Sequence, residues 1–348
     1  QLNLPIVSIR DLHVRDNNLI AATHGRSFWM IDDLTPLHQL NDELANENFY
    51  LFKPKDSYRM AGGGWRGPDL RKEGENHPNG VIFHYFVKNF EEKTPVKLEI
   101  MEMDGDLIQS YSTNSKDRRN KLKVKSGGNR FVWNMRYPGF KDFPGMVLYS
   151  SPNVGPKAVP GTYKARLFVG EESIEQEFEI IKDPRLPNST EDFQKQFEFI
   201  TKVRDKVDEA HQAMLDIRAV RKDLKYVKEK VGNAAEYKEI RDAVDELEKE
   251  MTIIENIIHQ TKNQSRQDPL NFGIKLNNHL TFLMGDQQRG DYPPTVQAEQ
   301  VRKELSEKLD KELQALEGLW NENLNRINDL MRDKGPEMLM RKKEDKVN

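Results

Sequence analysis

The chain of 348 residues contains no cysteine, and it also lacks long apolar runs and a strong excess of one charge. Without cysteine, disulfide bonds, cysteine nucleophiles and thiolate metal sites are excluded, although no compartment is assigned. Hydrophobic residues make up 36% and charged residues 32% of the chain, and the formal net charge is -3. This composition offers no membrane-spanning segment and no basic nucleic-acid-binding domain. We therefore expect neither direct membrane insertion nor a nucleic-acid partner.

Motifs for metals and nucleotides are also missing. The eight histidines never form a His-Glu-x-x-His pattern or a close helical pair, which argues against zinc. The glycine-rich stretch Gly62 to Trp65 lacks the Gly-Lys-Ser/Thr ending of a phosphate loop and is interpreted as a flexible loop. Asp104 and Asp106 flank Gly105 as in a calcium loop, but no glutamate follows at the required distance, so a hairpin turn is favoured. The sequence predicts neither a metal nor a cofactor.

Short strands are predicted before residue 40. The stretches are SIRDLHV (Ser8 to Val14), NLIAATHG (Asn18 to Gly25) and SFWMIDDL (Ser27 to Leu34), separated by turn-forming residues. Three such strands cannot bury enough apolar surface alone, and they leave open edges. Because the pattern starts within a few residues of Gln1, we expect partner strands on the N-terminal side and interpret the chain as the tail of a longer protein.

Further strand signals run from about residue 50 to residue 182. They include Val81 to Lys88, Lys97 to Ser112, Asn129 to Tyr137 and Gly161 to Ile181. Short strands at this spacing, with no helical stretch among them, predict an immunoglobulin-like or fibronectin-like β-sandwich. Three aromatic residues are expected in its core: Phe131, Trp133 and Tyr163.

From Thr190 the period of the apolar residues changes from two to about three and a half, which predicts helices. Ser189 and Thr190, followed by two acidic residues, mark a helix start. Three long apolar stripes and a shorter helix over Asp268 to Asp286 predict an antiparallel four-helix bundle, with Leu186 to Thr190 as the hinge. The predicted division is residues 1–40 for the first strands, 41–185 for the sandwich, 186–340 for the bundle and 341–348 for a charged tail.

Several polar residues of the helical region suggest a di-metal carboxylate cluster on paper: Glu198, Asp205, Glu209, His211 and Asp216. Inward Glu-x-x-His pairs are missing and the acids fall between apolar positions, so a solvated face with salt bridges is favoured. His259 and His279 are interpreted as surface or partly buried residues, and Trp320 as a core residue.

Two stretches stand out as candidate sites. In THGRSFWMIDD (Thr23 to Asp33), a catalytic interpretation takes His24 as a base, Arg26 as an anion clamp and Asp32 or Asp33 as the partner carboxylate. The loop from Arg136 to Gly161 is long and rich in proline, glycine and aromatic residues. A packing role is favoured for this loop, and ligand binding is the alternative. Its candidate ligand-binding residues are Tyr137, Phe140 and Phe143.

THGRSFWMIDD, with LPIVSIRDLHVR before it and LTPLHQL after it, resembles the final blade of secreted bacterial β-propeller proteins related to sortilin's VPS10 domain. These proteins are commonly labelled BNR-repeat or glycosyl-hydrolase-like. The resemblance continues through NRFVWNMRYPG, DFPGM, AVPGTYKARL, KDPR and DPLNFGIKLNN, and so covers essentially the whole chain. It implies the closing strands of a propeller blade, an immunoglobulin-like sandwich and a helical bundle.

For THGRSFWMIDD the resemblance implies a scaffold role. Thr23 to Arg26 would join adjacent strands of a blade, Trp29 and Ile31 would pack between blades, and Asp32 and Asp33 would cap the exit. The alternative is that His24 or Arg26 faces the central channel and binds a peptide or glycan. The Asp-box signature is absent here, as are the arginine triad and tyrosine nucleophile of a sialidase.

Three functions follow as hypotheses. The first is a non-catalytic accessory region of an exported propeller protein, found in the periplasm, at the outer-membrane surface or outside the cell. It would pair with the propeller of the same or another chain and bind a protein or glycan. The second is part of an extracellular glycoside hydrolase, whose active site would lie in the other blades because this chain has no catalytic constellation. The third is a subunit of an outer-membrane-associated export or uptake complex.

Overall fold

The computed structural model describes residues 4–60, 74 and 76–336. The stretch Gly62 to Trp65 and the charged tail 341–348 lie outside these residues. The described residues combine β-sheets with a C-terminal helical region, which confirms the predicted mixture of strands and helices. Contacts divide the chain into two compact units. Unit 1 comprises Gln1–Pro138 and Lys157–Phe193, and unit 2 comprises Gly139–Pro156 and Gln194–Asn348.

Unit 1 contains the strands, a short α-helix and two 3-10 turns. The strands are β1 Ile9–Arg15, β2 Asn18–Thr23, β3 Phe28–Ile31, β4 Phe49–Leu51, β5 Ser57–Arg59, β6 Val81–Val87, β7 Val96–Met101, β8 Leu107–Ser112, β9 Gly127–Trp133, β10 Gly161–Val169 and β11 Glu172–Lys182. Helix α1, Thr35–His38, follows β3. The predicted hairpin turn between β7 and β8 is confirmed, since the N–H of Asp106 donates to Oδ1 of Asp104 at 3.1 Å.

Three sheets are formed by these strands. The first has the order β1-β2-β3, the second β5-β11-β10-β7-β8 and the third β4-β6-β9. All pairings between these strands are antiparallel except that of β11 with β5. The second and third sheets contribute side chains to one hydrophobic core. The first sheet contributes none of the residues of that core.

The core of unit 1 is centred on Trp133, which is fully buried. Its indole Nε1 donates to the carbonyl of Arg136 at 3.2 Å, and its ring packs edge-on against Phe178. Tyr163 is buried beside it and Phe131 is partly buried against the same cluster, so all three predicted core aromatics lie in or against this core.

Unit 2 contains most of the helical residues. The helices are α2 Thr190–Val231, α3 Lys238–Ile258, α4 Leu276–Asp286, α5 Val296–Leu319 and α6 Asn325–Lys334, with a π-helical turn Trp320–Leu324 between the last two. The predicted start of the first long helix is confirmed. The N–H of Asp192 donates to Oγ of Ser189 at 3.2 Å, and the N–H of Ser189 donates to the Asp192 carboxylate at 2.9 Å.

Residues 139–156 of the long loop belong to unit 2. Phe140 and Phe143 join the same core as apolar side chains of α2, α3, α4 and α5. The backbone of the loop is held as well, because the N–H of Lys141 donates to Asp208 on α2 at 2.6 Å. Residues 139–156 of the loop are therefore an integral part of the helical unit.

Candidate functional site

One side of the sheet β1-β2-β3 is apolar along the middle of its strands, and Thr23 lies on the same side at the end of β2. The pairing sets Leu12 opposite Ala21 and Ala21 opposite Trp29, and it sets Val14 opposite Leu19 and Leu19 opposite Ile31. Directly opposed residues of antiparallel strands project from the same side of a sheet. We call this side the apolar face, and its residues are Leu12, Val14, Leu19, Ala21, Trp29 and Ile31.

The apolar face is open to solvent. Leu12 is 59% exposed, Val14 58% and Ile31 46%. The opposite side of the sheet is mixed in chemistry. There Asp11 and His13 of β1 stand beside Ala22 and Ile20 of β2, and β3 adds Phe28 and Met30, which are also exposed. A contiguous apolar surface on a rigid sheet is typical of a surface that another structure covers.

The turn between β2 and β3 orients the tryptophan of this face. Gly25 has a φ of +74° and Ser27 a φ of +63°, as the tight reversal requires. The hydroxyl of Thr23 donates to the carbonyl of Ser27 at 2.6 Å, and the indole Nε1 of Trp29 donates to the carbonyl of Arg26 at 2.9 Å. The predicted turn is confirmed, and it fixes the position of the Trp29 ring.

The residues that the catalytic interpretation combines into one site lie too far apart to interact. His24 and Arg26 lie in the turn before β3, whereas Asp32 and Asp33 follow the end of β3. The four residues of that strand alone span roughly 13 Å. A base and its partner carboxylate must lie within hydrogen-bond reach, so this stretch forms no acid–base pair.

Asp33 makes polar contacts with three other residues. Its N–H donates to Oδ1 of Asn18, its Oδ1 accepts the N–H of Thr35, each at 3.0 Å, and its Oδ2 lies 3.5 Å from Nε2 of His84. Burial alone raises the pKa of Asp33, but the hydrogen bonds from His84 and Thr35 outweigh it and lower the pKa to about 2. The carboxylate is therefore ionised and ties the end of β3 to β6.

The three candidate residues of the long loop lie in different surroundings. Tyr137 belongs to unit 1, is partly buried, and its hydroxyl donates to the carboxylate of Glu102. Burial and this bond raise the pKa of the Tyr137 hydroxyl. Phe140 and Phe143 are 3% and 4% exposed in the core of unit 2. Both phenylalanines therefore have the packing role that the sequence favours. Ligand binding by Tyr137, Phe140 and Phe143 stays a prediction.

A buried polar network surrounds Phe143, and no motif of the sequence marks it. Nδ2 of Asn277 lies 3.2 Å from Nε2 of His211 and 3.1 Å from Nδ1 of His259. Nδ1 of His211 lies 2.5 Å from the carbonyl of Lys141, which can only accept, so His211 carries its proton on Nδ1. The Phe143 ring packs edge-on against both imidazoles at 5.0 Å.

The interpretation of His259 as a surface or partly buried residue was wrong, since it is 3% exposed. Burial lowers the pKa of His259 to about 4, with a further contribution from His211 and Arg218. Burial also lowers the pKa of His211. Both rings are therefore neutral at pH 7 and serve as packing and hydrogen-bonding groups in the interior of unit 2.

Two motifs that carry the family resemblance meet at this network. The stretch DFPGM supplies Phe143, and the end of DPLNFGIKLNN supplies Asn277 and Asn278. Asn278 accepts the N–H of Tyr149 at 2.7 Å and donates to the carbonyl of Tyr149 at 3.0 Å. These hydrogen bonds attach the loop to α4, so the residues that make them have a structural role.

Comparisons with known proteins add little to this geometry. No family model matches the chain, and no curated protein matches it. A solved structure titled "pT26-6p" is 9% identical, with a TM-score of 0.15, and the alignment covers 83% of this chain and 50% of that chain. The chain thus spans half the length of that structure, and a TM-score this low carries no argument about fold or function. Across the described residues, no helix combines the length and apolarity needed to cross a bilayer.

Proposed function

We propose that this chain is a non-catalytic interaction region of an exported, sortilin-like β-propeller protein. In this proposal β1, β2 and β3 are the closing strands of a propeller blade, and their apolar face packs against the propeller of the same or another chain. The observation that carries the proposal is the open apolar face itself, with Leu12 and Val14 both more than half exposed.

A propeller blade explains the composition of that face better than an isolated sheet does. Neighbouring blades pack sheet against sheet, which buries one alternating set of side chains on each strand. Trp29 and Ile31 are two residues apart on β3 and share the apolar face, as such packing requires. A face that met only water would be expected to carry polar residues at these alternating positions.

The remaining domains are assigned by the same proposal. The two sheets that share the core around Trp133 form an immunoglobulin-like sandwich, and the helices of unit 2 form an antiparallel bundle. Both would present surfaces to a protein or glycan partner at the cell envelope or outside the cell. A non-catalytic role is supported by the placement of His24 and Asp33 at opposite ends of β3.

The absence of cysteine permits a direct test of the docked face. A single cysteine at Val14 would react readily with a soluble thiol reagent in the isolated chain, because this position is exposed. In the native protein of the producing cells, the same thiol is expected to be protected. A cysteine at Met103, which is 43% exposed in the β7–β8 hairpin, is the matched control and reacts in both. Labelling is read by peptide mass.

Two results would decide against the proposal. Equal reactivity of the Val14→Cys thiol in the isolated chain and the native protein would mean that nothing covers the apolar face. Protection of both positions would indicate general inaccessibility rather than docking of this sheet.

A further inference from the structure

The hydrogen bonds of β2 fix the direction of the backbone groups in the whole first sheet. The N–H of Thr23 donates to the carbonyl of Ser27 at 3.2 Å, on the side of β3. The N–H of His24 donates to the carbonyl of Ser8 at 2.9 Å, on the side of β1. Because backbone groups alternate in direction along a strand, odd-numbered residues of β2 bond to β3 and even-numbered residues bond to β1.

The outer edge of β3 is open. The register pairs Trp29 and Ile31 with odd-numbered residues of β2, so the N–H and C=O groups of Phe28 and Met30 are directed away from the sheet. In the described part of the chain, these four backbone groups have no hydrogen-bond partner. The two side chains are exposed as well, Phe28 at 76% and Met30 at 55%. We call this row of backbone groups the β3 edge.

The outer edge of β1 is less open. By the same alternation, Leu12 directs its backbone outward, and its N–H already donates to Oδ1 of Asp11 at 2.9 Å. The strand also carries Arg10 and Arg15, and charged side chains on an edge strand disfavour pairing with another strand. None of the four residues of β3 is charged. Of the two outer strands, β3 is therefore the one suited to pair with an added strand.

A cavity of about 340 Å³ lies beside the β3 edge. Its apolar lining comes from Met30 together with Tyr58, Met60 and Ile82. A residue placed directly opposite Met30 on an added strand would project from the same side of the sheet as Met30, and so towards this cavity. In the addition of a strand to a sheet edge, backbone hydrogen bonds supply affinity and such side-chain pockets supply specificity.

The rim of this cavity is acidic. Asp32 and Asp56 line it and are exposed, and no described cation lies within salt-bridge distance of either carboxylate. Lys55 lines the cavity too, but its ammonium group donates to the carbonyl of Asp16 at 2.6 Å. A lysine or arginine close to the apolar side chain in the cavity would complement the two carboxylates.

We propose that the β3 edge binds an extended segment of a partner protein, which adds a fourth strand to the first sheet. The segment places a large apolar side chain, with basic residues on either side, at the cavity beside Met30. The free row of N–H and C=O groups selects this class of partner, because an extended backbone offers acceptors and donors at the matching spacing. Anionic polymers are disfavoured by Asp32 and Asp56, and a small molecule in the cavity would leave the backbone row unpaired.

This inference goes beyond the proposed function and does not depend on a propeller. The proposed function concerns the apolar face, which is tested at Val14 on β1. The β3 edge lies at the other border of the sheet and is tested at Met30. Cysteine protection and peptide binding can therefore fail separately, and each failure identifies the proposal that is wrong.

The test is a titration of the full chain with the labelled peptide Thr-Val-Lys-Val-Phe-Val-Lys-Val-Thr, followed by fluorescence anisotropy. We expect saturable binding. Met30→Pro removes an outward N–H, which an edge strand tolerates, and it should weaken binding about tenfold because a hydrogen bond and an apolar contact are lost. Met103→Pro is the matched control. Met103 is exposed at the second position of the β7–β8 turn, which accepts proline, and this variant should bind like the unsubstituted chain.

Modified peptides test the same inference without altering the protein. One is N-methylated on its valines and the other on its lysines and phenylalanine. Only alternate N–H groups of an added strand face β3, so one of these two peptides should lose binding and the other should retain it. Replacing phenylalanine by serine should weaken binding about tenfold or more, because the apolar side chain leaves the cavity.

Four outcomes would overturn the inference. The first is no binding of the unmodified peptide up to about 1 mM, which is weaker than a specific contact of this kind requires. The second is an equal response to the two N-methylated peptides, which would show that no strand is added. The third is equal binding of the serine peptide, and the fourth is equal or tighter binding when both lysines are replaced by glutamate. Circular dichroism checks that Met30→Pro is folded; if it is not, the peptide series decides alone.

Discussion

Nδ2 of Asn277 lies 3.1 Å from Nδ1 of His259 in the interior of unit 2, where both residues are at most 3% exposed. The second hydrogen of the same amide is directed at His211. One asparagine thus satisfies the acceptor nitrogens of two buried imidazoles. A buried acceptor without a donor costs free energy, so the arrangement predicts a strong dependence of stability on this one side chain.

Asn277→Ala is expected to lower the free energy of unfolding of unit 2 by about 2–4 kcal/mol, because two buried ring nitrogens lose their donor. Urea unfolding followed by circular dichroism at the helix band measures the change. Asn271→Ala is the control, since Asn271 is exposed. That control should stay within about 0.5 kcal/mol of the unsubstituted chain. Equal effects of the two substitutions would contradict the role given to Asn277.

The free energy of unfolding of unit 2 should fall as the pH falls from 6.5 towards 4. In the folded chain the pKa of His259 is lowered to about 4 from an ordinary value of 6.5. The contribution of His259 to stability is therefore fully present above pH 6.5. As the pH falls below 6.5, the imidazole binds a proton in the unfolded chain before it does so in the folded chain, and this lowers the free energy of unfolding. The full loss is on the order of 3 kcal/mol.

Carboxylates also titrate in this pH range, so a variant is needed to separate the contribution of His259 from theirs. His259→Gln retains a hydrogen-bond acceptor for Asn277 but has no proton to gain. Its free energy of unfolding should depend less steeply on pH between 6.5 and 4 than that of the unsubstituted chain. Parallel pH profiles in the two proteins would show that His259 is not the source of the dependence.

Gly80→Ala is expected to destabilise unit 1 by about 1–3 kcal/mol through overpacking. A Cβ at Gly80 would lie 2.1 Å from the carbonyl oxygen of Trp133, which belongs to the backbone of β9 and cannot rotate away. Gly128→Ala is the control, because its added Cβ meets no atom within 4 Å. Thermal unfolding followed by circular dichroism at the strand band should separate the two variants by several degrees.

Substitution of the apolar face should weaken docking and leave the isolated chain stable. Leu12→Thr with Val14→Thr changes residues that are more than half exposed, so the free energy of unfolding should move by less than about 0.5 kcal/mol per site. Co-purification with the propeller, or with the native assembly, should drop. Met103→Thr, on an exposed hairpin, should leave co-purification unchanged. A large loss of stability in the double variant would place these residues in a core instead.

Local signals predicted the local structure. Ser189 and Asp192 lie three residues apart, and their reciprocal hydrogen bonds depend on no distant part of the chain. The same holds for the Asp104–Gly105 hairpin and for the turn through Gly25, where residue chemistry at one position decides the backbone. The apolar residues Leu12 and Val14 alternate with polar residues in β1, whereas β3 is apolar at all four positions, so only the pairing register shows which residues of the three strands share one face.

The sites depend on contacts between residues that are far apart in sequence. His259 is buried because Asn277, His211 and Phe143 meet it, and these residues come from three separate segments. Neither the period nor the composition around position 259 carries that information. A groove beside the third sheet likewise combines Phe52, His84 and Arg130, which become neighbours through the pairing of β6 with β4 and β9.

The free edges of the first sheet bear on how the protein is assembled. In the described part of the chain, β1 and β3 each pair with β2 alone, so each offers a row of backbone groups to another strand. A partner strand and a second copy of this chain compete for those groups. Pairing with a copy is second order in protein concentration, whereas a tethered partner strand, as in the proposed propeller assembly, would meet the sheet at a fixed effective concentration. The yield of correctly assembled protein is therefore set by a kinetic competition, and it should fall as the untethered chain is concentrated.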